Sequence, residues 1–143
     1  MTSYVLDASV AAKWFLPSSG ETYATQATAI LETFAAGKLR LMVPDLFWPE
    51  ISNVLWKAFR SGRISEKAAD EALTSLTAQQ IVTAPSMPLI NSAFAIAAAF
   101  QRPVYDAIYV TLAVRANCPL VTADERLANA LAAYFPVRWL GVL

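Results

Sequence analysis

The segment YVLDASVAAKWFLP, residues 4–17, limits the fold more than any other stretch of the chain. Tyr4, Val5 and Leu6 are strand formers without polar alternation; Asp7 ends the run, and an alanine-rich stretch of helical character follows. A strand with no polar face is covered on both sides, the condition of a central strand in a parallel sheet. Parallel neighbours need crossover connections, so this strand commits the chain to alternating strands and helices. It also puts a carboxylate at a strand's carboxyl end, where burial is costly unless something pairs with the charge.

The rest of the sequence keeps that alternation. Strands are expected at 3–7, 39–43, 81–84, 119–122 and 137–140, with helices at 8–15, 21–36, 46–61, 65–79, 89–101, 105–117 and 124–134. Pro17 and Gly20 separate the first two helices, SGRIS at 61–65 turns one helix into the next with Ser65 as cap, and Pro103 and Pro119 stop helices from running through. No repeat or linker interrupts the 143 residues, so one three-layer α/β/α domain over 1–143 is expected, with a central, mostly parallel sheet of about five strands. On the helix at 46–61, Phe47, Ile51, Val54, Leu55 and Ala58 share one face. Glu50 lies on its shoulder, and Asn53, Lys57 and Arg60 continue down that flank.

Composition narrows the chemistry. The chain has no histidine, which removes Ser-His-Asp and Cys-His nucleophiles, histidine acid–base catalysis and His-ligated zinc. The single cysteine, Cys118, rules out an internal disulfide framework and a Cys-cluster zinc site. Net charge is zero, so a nucleic-acid partner has to be held by local patches. Hydrophobic residues make up 57% of the chain, yet the longest unbroken apolar run, Ala93 to Phe100, is too short to span a bilayer. The surplus fits a buried sheet plus an apolar surface covered by another chain. With no basic, apolar leader at the N-terminus, the expected compartment is the cytoplasm.

Chemistry therefore rests on carboxylates, and four of the eleven acids are flanked by apolar sequence: Asp7, Glu50, Asp106 and Asp124. Each sits near the start of a helix that follows, or packs beside, a strand's carboxyl end, the edge where open α/β sheets place their ligands. Each also has a purely structural reading. Asp7 and Asp106 suit helix caps, Thr122-Ala-Asp-Glu125 fits a capping box with Asp124 as a first-turn charge, and Glu50 could face Lys57 or water. Four unrelated caps, however, would not be expected to converge on one sheet edge. Two carboxylates about 4 Å apart repel by roughly 4 kcal/mol at an effective dielectric near 20. Such a cluster takes up protons or binds a hard cation, and carboxylate-only ligation suits Mg²⁺ or Mn²⁺. Metal-activated water attacking phosphorus in line is the chemistry such a site supports.

The segments YVLDASVAAKW, VPDLFWPEISNVLWKA and VYDAIYVTLAVRANCPLVTADERL, with the chain length, resemble the PIN domain and, within it, the VapC-type toxins of toxin–antitoxin pairs. The resemblance spans essentially the whole chain. It implies an endoribonuclease in which Asp7, Glu50, Asp106 and Asp124 bind Mg²⁺ or Mn²⁺ and carry catalysis. Ser9 and Thr122 match the small hydroxyl residues that support the cluster, and Asn53 lies one turn beyond Glu50. Some members carry another acid two residues after the last one; here that position is Arg126, which argues for one tightly held metal rather than two. Lys13, Lys57, Arg60 and Arg126 are the candidates for holding the RNA backbone.

The resemblance further implies a homodimer and a small antitoxin seated on an apolar groove, with Trp14, Phe15, Phe47, Trp48 and Trp56 as candidate surface aromatics and any DNA contact left to the antitoxin. Two other readings compete. A haloacid-dehalogenase-like phosphatase needs a second aspartate two residues after the nucleophile, where this chain has Ser9. A non-catalytic PIN-like regulatory module keeps the fold without the chemistry, against which stands the presence of all four acids.

Overall fold

A computed structural model describes residues 1–143. Its centre is β1 (Thr2–Leu6), whose Val5 and Leu6 are fully buried. β2 (Leu39–Pro44) pairs with it in parallel, setting Tyr4 beside Leu41, and β3 (Val82–Ala84) extends the sheet beyond β2. On the other side lie β4 (Leu120–Thr122), with Leu120 beside Val5, and β5 (Val137–Trp139). The sheet is parallel throughout, in the order β3-β2-β1-β4-β5. The sequence direction reverses at β1, so the crevice beyond the carboxyl ends of β1 and β4 is the topological switch point.

Seven α-helices cover the sheet: α1 (Ala8–Ala11), α2 (Ala24–Ala35), α3 (Phe47–Arg60), α4 (Glu66–Thr77), α5 (Ile90–Phe100), α6 (Val104–Ala116) and α7 (Glu125–Leu131). The α3 face read from the sequence is the face that packs: Phe47, Ile51, Leu55 and Ala58 are buried and Val54 is half-buried. α6 is buried along Ala107–Ala113 and packs against α5, β1, β2 and β4. Ser65 caps α4 by accepting the Ala68 amide at 3.0 Å, as the turn chemistry of SGRIS implies. One continuous apolar core joins the two layers through the sheet. Each fully buried Leu or Val there contributes about 1.5–3 kcal/mol.

Several boundaries differ from the sequence reading, two of them near the start of the chain with a visible cause. The helix expected at 8–15 is one α-turn that tightens into a 3-10 turn at Ala12–Trp14, where the Trp14 indole N–H donates to the Ala27 carbonyl at 2.8 Å. The helix expected from 21 begins at Ala24, because Tyr23 takes a left-handed conformation (φ 57°) with its ring edge-on to Trp139. Of the aromatics considered for a partner surface, Phe47 is core, Trp14 and Phe15 are half-buried, and Trp48 bonds the Thr83 hydroxyl; only Trp56 stands exposed. No helix is long and apolar enough to cross a membrane.

Candidate active site

Asp7 leaves β1 where the sheet ends. Its backbone amide still bonds Val121 of β4, and its carboxylate caps α1 weakly through the Ser9 amide at 3.5 Å. One oxygen, Oδ2, accepts two hydroxyl hydrogen bonds, from Thr122 at 2.7 Å and from Ser9 at 2.9 Å. Each hydroxyl is used in both directions. Thr122 Oγ1 accepts the Asp124 amide at 3.0 Å, and Ser9 Oγ accepts the Ala123 amide at 3.1 Å. These bonds clamp the ends of β1 and β4 together and fix Asp7 and Asp124 on either side of the switch point. Both hydroxyls bond the Asp7 carboxylate.

Asp124 is itself the cap of α7. Its Oδ1 accepts the Arg126 and Leu127 amides at 3.0 and 3.2 Å, leaving Oδ2 to face the crevice. This corrects the capping-box reading, in which Thr122 was the cap; the Thr122 side chain is turned toward Asp7 instead. Asp106 does not cap α6, since Pro103 occupies that position without a side-chain bond. It lies in the first turn of α6, as Glu50 does in α3, where the helix dipole favours a negative charge.

Two residues outside the sequence-level candidates complete the site. The buried Tyr109, three residues after Asp106 on α6, donates its hydroxyl to Glu50 Oε1 at 2.6 Å. Arg102 Nη2 lies 3.1 Å from Asp106 Oδ2 and 3.8 Å from Asp124 Oδ2. The i,i+4 spacing of Arg102 and Asp106 was a visible signal for the first pair. Nothing local in the sequence pointed to the second, or to Tyr109 reaching α3. Asn53 is exposed and makes no side-chain hydrogen bond, so the support Glu50 receives comes from Tyr109. Lys13 is paired with Glu21 at 3.3 Å, and Arg63 holds the other Glu21 oxygen at 2.9 Å. Lys57, Arg60 and Arg126 are exposed, with Arg60 over the Trp56 ring.

The electrostatics follow from this crowding. Burial pushes the Asp7 carboxyl above its ordinary range, against the Thr122 and Ser9 hydrogen bonds, and the Asp106 charge adds to the rise. Glu50 is raised by burial and by Asp7 and Asp106, with Tyr109 opposing. Asp106 is raised by burial and by Asp124, with Arg102 opposing. The Tyr109 phenol is pushed far up by burial and by the neighbouring carboxylates, so it stays a hydrogen-bond donor at any working pH. Three mutually repelling acids with raised affinity for protons are a site for positive charge.

An all-oxygen set of carboxylates and hydroxyls suits a hard divalent cation such as Mg²⁺ or Mn²⁺. As they stand, no three acids are drawn close enough around one point to hold it. The Arg102 guanidinium lies between two of them instead.

Comparison with known proteins agrees on this architecture. The PIN domain family model matches residues 4–131. A ribonuclease VapC3 from Pyrobaculum aerophilum is 30% identical over 131 residues, covering 90% of this chain and 95% of its own. The crystal structure of PAE2754 from the same organism superposes with a TM-score of 0.70 at 23% identity, over 99% of this chain and 91% of that one. A toxin–antitoxin complex from Klebsiella pneumoniae shares the fold with a TM-score of 0.59 at 18% identity, covering 94% and 95% of the two chains.

Proposed function

Because this chain belongs to the VapC ribonucleases of the PIN-domain family, we propose that it is a Mg²⁺- or Mn²⁺-dependent endoribonuclease, the toxin of a type II toxin–antitoxin pair, acting in the cytoplasm. The observation that carries the reading is the hydroxyl clamp between Asp7 and Asp124, which sets two acids of the proposed four at the switch point, with Glu50 and Asp106 raised by the same crowding.

In this reading Asp7, Glu50, Asp106 and Asp124 hold the cation and carry catalysis. When bound, the cation supplies a water nucleophile at neutral pH and neutralises charge at the phosphodiester. The chain's own residues do the positioning. Thr122 and Ser9 hold the Asp7 carboxylate through Oδ2, Tyr109 fixes Glu50, and the α7 amides fix Asp124. The exposed Lys57, Arg60 and Arg126 neutralise flanking phosphates, sufficient for a chain with no net charge. Lys13, a candidate for this task from the sequence, is paired with Glu21 instead.

The proposal extends to partners. Trp56 and Phe59 on α3 stand 48% and 41% exposed beside Ala69 and Leu73 of α4, an apolar groove suited to the small antitoxin. The outward face of α5, with Ile90 and Phe94, offers a surface for a homodimer. Any DNA contact belongs to the antitoxin.

The test is to incubate partner-free protein with total cellular RNA and Mn²⁺, Mg²⁺ or chelator, beside Asp106→Asn. Discrete cleavage that needs the metal and vanishes in the variant is the expected result. Cleavage unaffected by chelator and mutation, or none at all, would favour a non-catalytic module.

A further inference from the structure

Arg102 lies in the three-residue junction between α5 and α6. Its backbone has little freedom: Gln101 is left-handed (φ 53°), the amides of Gln101 and Arg102 both return to the Ala97 carbonyl, and Pro103 follows. The side chain is only 21% exposed and runs into the acid cluster. One nitrogen, Nη2, faces Oδ2 of both Asp106 and Asp124, at 3.1 and 3.8 Å. Nε is buried with no hydrogen-bond partner.

That last detail identifies what holds the side chain there. A guanidinium with five donors rarely leaves a buried one unpaired. A placement chosen for hydrogen bonding would satisfy Nε; this one leaves it empty and puts positive charge between two carboxylates. The two Oδ2 atoms it faces are crevice-facing atoms of the proposed metal set, since Asp124 Oδ1 is spent on the α7 amides. A small hard cation needs carboxylate oxygens at about 2.0–2.1 Å, which a guanidinium already held by the same atoms obstructs.

We propose that Arg102 is an intrachain counter-cation: it balances Asp106 and Asp124 in the metal-free protein and has to withdraw when a divalent cation is held, so the chain limits its own metal affinity. This inference rests on the metal-site reading above. Arg102 acts here as a positioning residue, through the carboxylates.

The experiment is calorimetric titration of Mn²⁺ into the full-length wild type, Arg102→Gln and Arg102→Lys, with the melting temperature of each recorded in chelator and in saturating Mn²⁺. Removing a competing charge should tighten Mn²⁺ binding by about tenfold in Arg102→Gln, within the usual range of coupling between two bound species. The melting temperature should fall in chelator and recover in Mn²⁺, with Arg102→Lys between the two. A second measurement uses the wild type alone: the buried Arg102 Nε–H, followed by NMR, should lose its protection from exchange on titration with Mg²⁺. Unchanged or weaker Mn²⁺ binding in Arg102→Gln, or an Nε–H signal indifferent to saturating Mg²⁺, overturns the counter-cation. If neither wild type nor Arg102→Gln takes up Mn²⁺, the metal-site reading itself falls and this inference falls with it.

Discussion

The Tyr109 hydroxyl donates to Glu50 at 2.6 Å and ties the first turn of α3 to the middle of α6. A phenol buried against carboxylates has no other outlet for its proton, and Glu50 gains a neutral donor that favours its ionised form. Tyr109→Phe should therefore cost about 1.5–3 kcal/mol, the range for hydrogen bonds to charged groups. Urea unfolding would measure it, and RNA cleavage should fall further than stability does because Glu50 loses its orientation.

The metal-free protein should be more stable in mild acid than at neutral pH. Asp7, Glu50 and Asp106 all bind protons more tightly folded than unfolded. Between the ordinary carboxylate value near 4 and the raised folded values, the native state carries the extra protons, so stability falls as pH rises through that window. Asp45, held down by Ser86, acts in the opposite sense, but only below the ordinary range. Melting temperatures in chelator from about pH 4.5 to 8 should decline, and saturating Mn²⁺ should flatten or reverse the slope.

Asp106→Asn should leave the metal-free fold intact, within about 1 kcal/mol of wild type, because the partly exposed pair it loses with Arg102 is worth little and repulsion from neighbouring acids is relieved. In the same thermal scan, the rise that Mn²⁺ gives the wild type should disappear. A large loss of stability in chelator would mean that the side chain is structural.

Thr122 is fully buried and its hydroxyl both donates and accepts. Thr122→Val keeps the shape but leaves the Asp124 amide unpaired and takes a donor from Asp7, at a cost of about 1–3 kcal/mol. Thr122→Ser should restore most of it. Chemical denaturation separates the two, and only the valine variant should push the Asp7 carboxyl further up.

The basic residues should divide by role. Neutralising Lys57, Arg60 or Arg126 should weaken RNA binding and lower its salt dependence by about 0.7 for each phosphate no longer neutralised, with little change in melting temperature. Lys13→Gln should do the reverse, because its ammonium is buried against Glu21.

The element order was legible in the sequence, and the four acids stood out as candidates, because strand ends are marked by apolar runs that stop at a polar residue, as VLD and LVTAD do. Cap and cluster were not alternatives: Asp124 caps α7 with one oxygen and faces the crevice with the other, while Asp7 caps α1 weakly through Oδ1 and is held by Thr122 and Ser9 through Oδ2. What could not be read were the partners that arrive from elsewhere. Arg102 reaches Asp124 across a crevice, and Tyr109 meets Glu50 across 59 residues; neither pairing leaves a local pattern. The shortened first helix was hidden for a similar reason, since Trp14 turns toward α2 rather than continuing the turn.

The bond from Thr122 to Asp7 closes over 115 residues, and β4 enters the sheet directly beside β1. During translation, a growing chain carries Asp7 and Glu50 long before the other half of the clamp exists. Nascent chains that stop short of residue 120 can neither bury both flanks of β1 nor assemble the site. The clamp between Asp7 and Asp124 thus closes only once β4 and the start of α7 have left the ribosome, so this edge of the sheet waits on the C-terminal part of the chain.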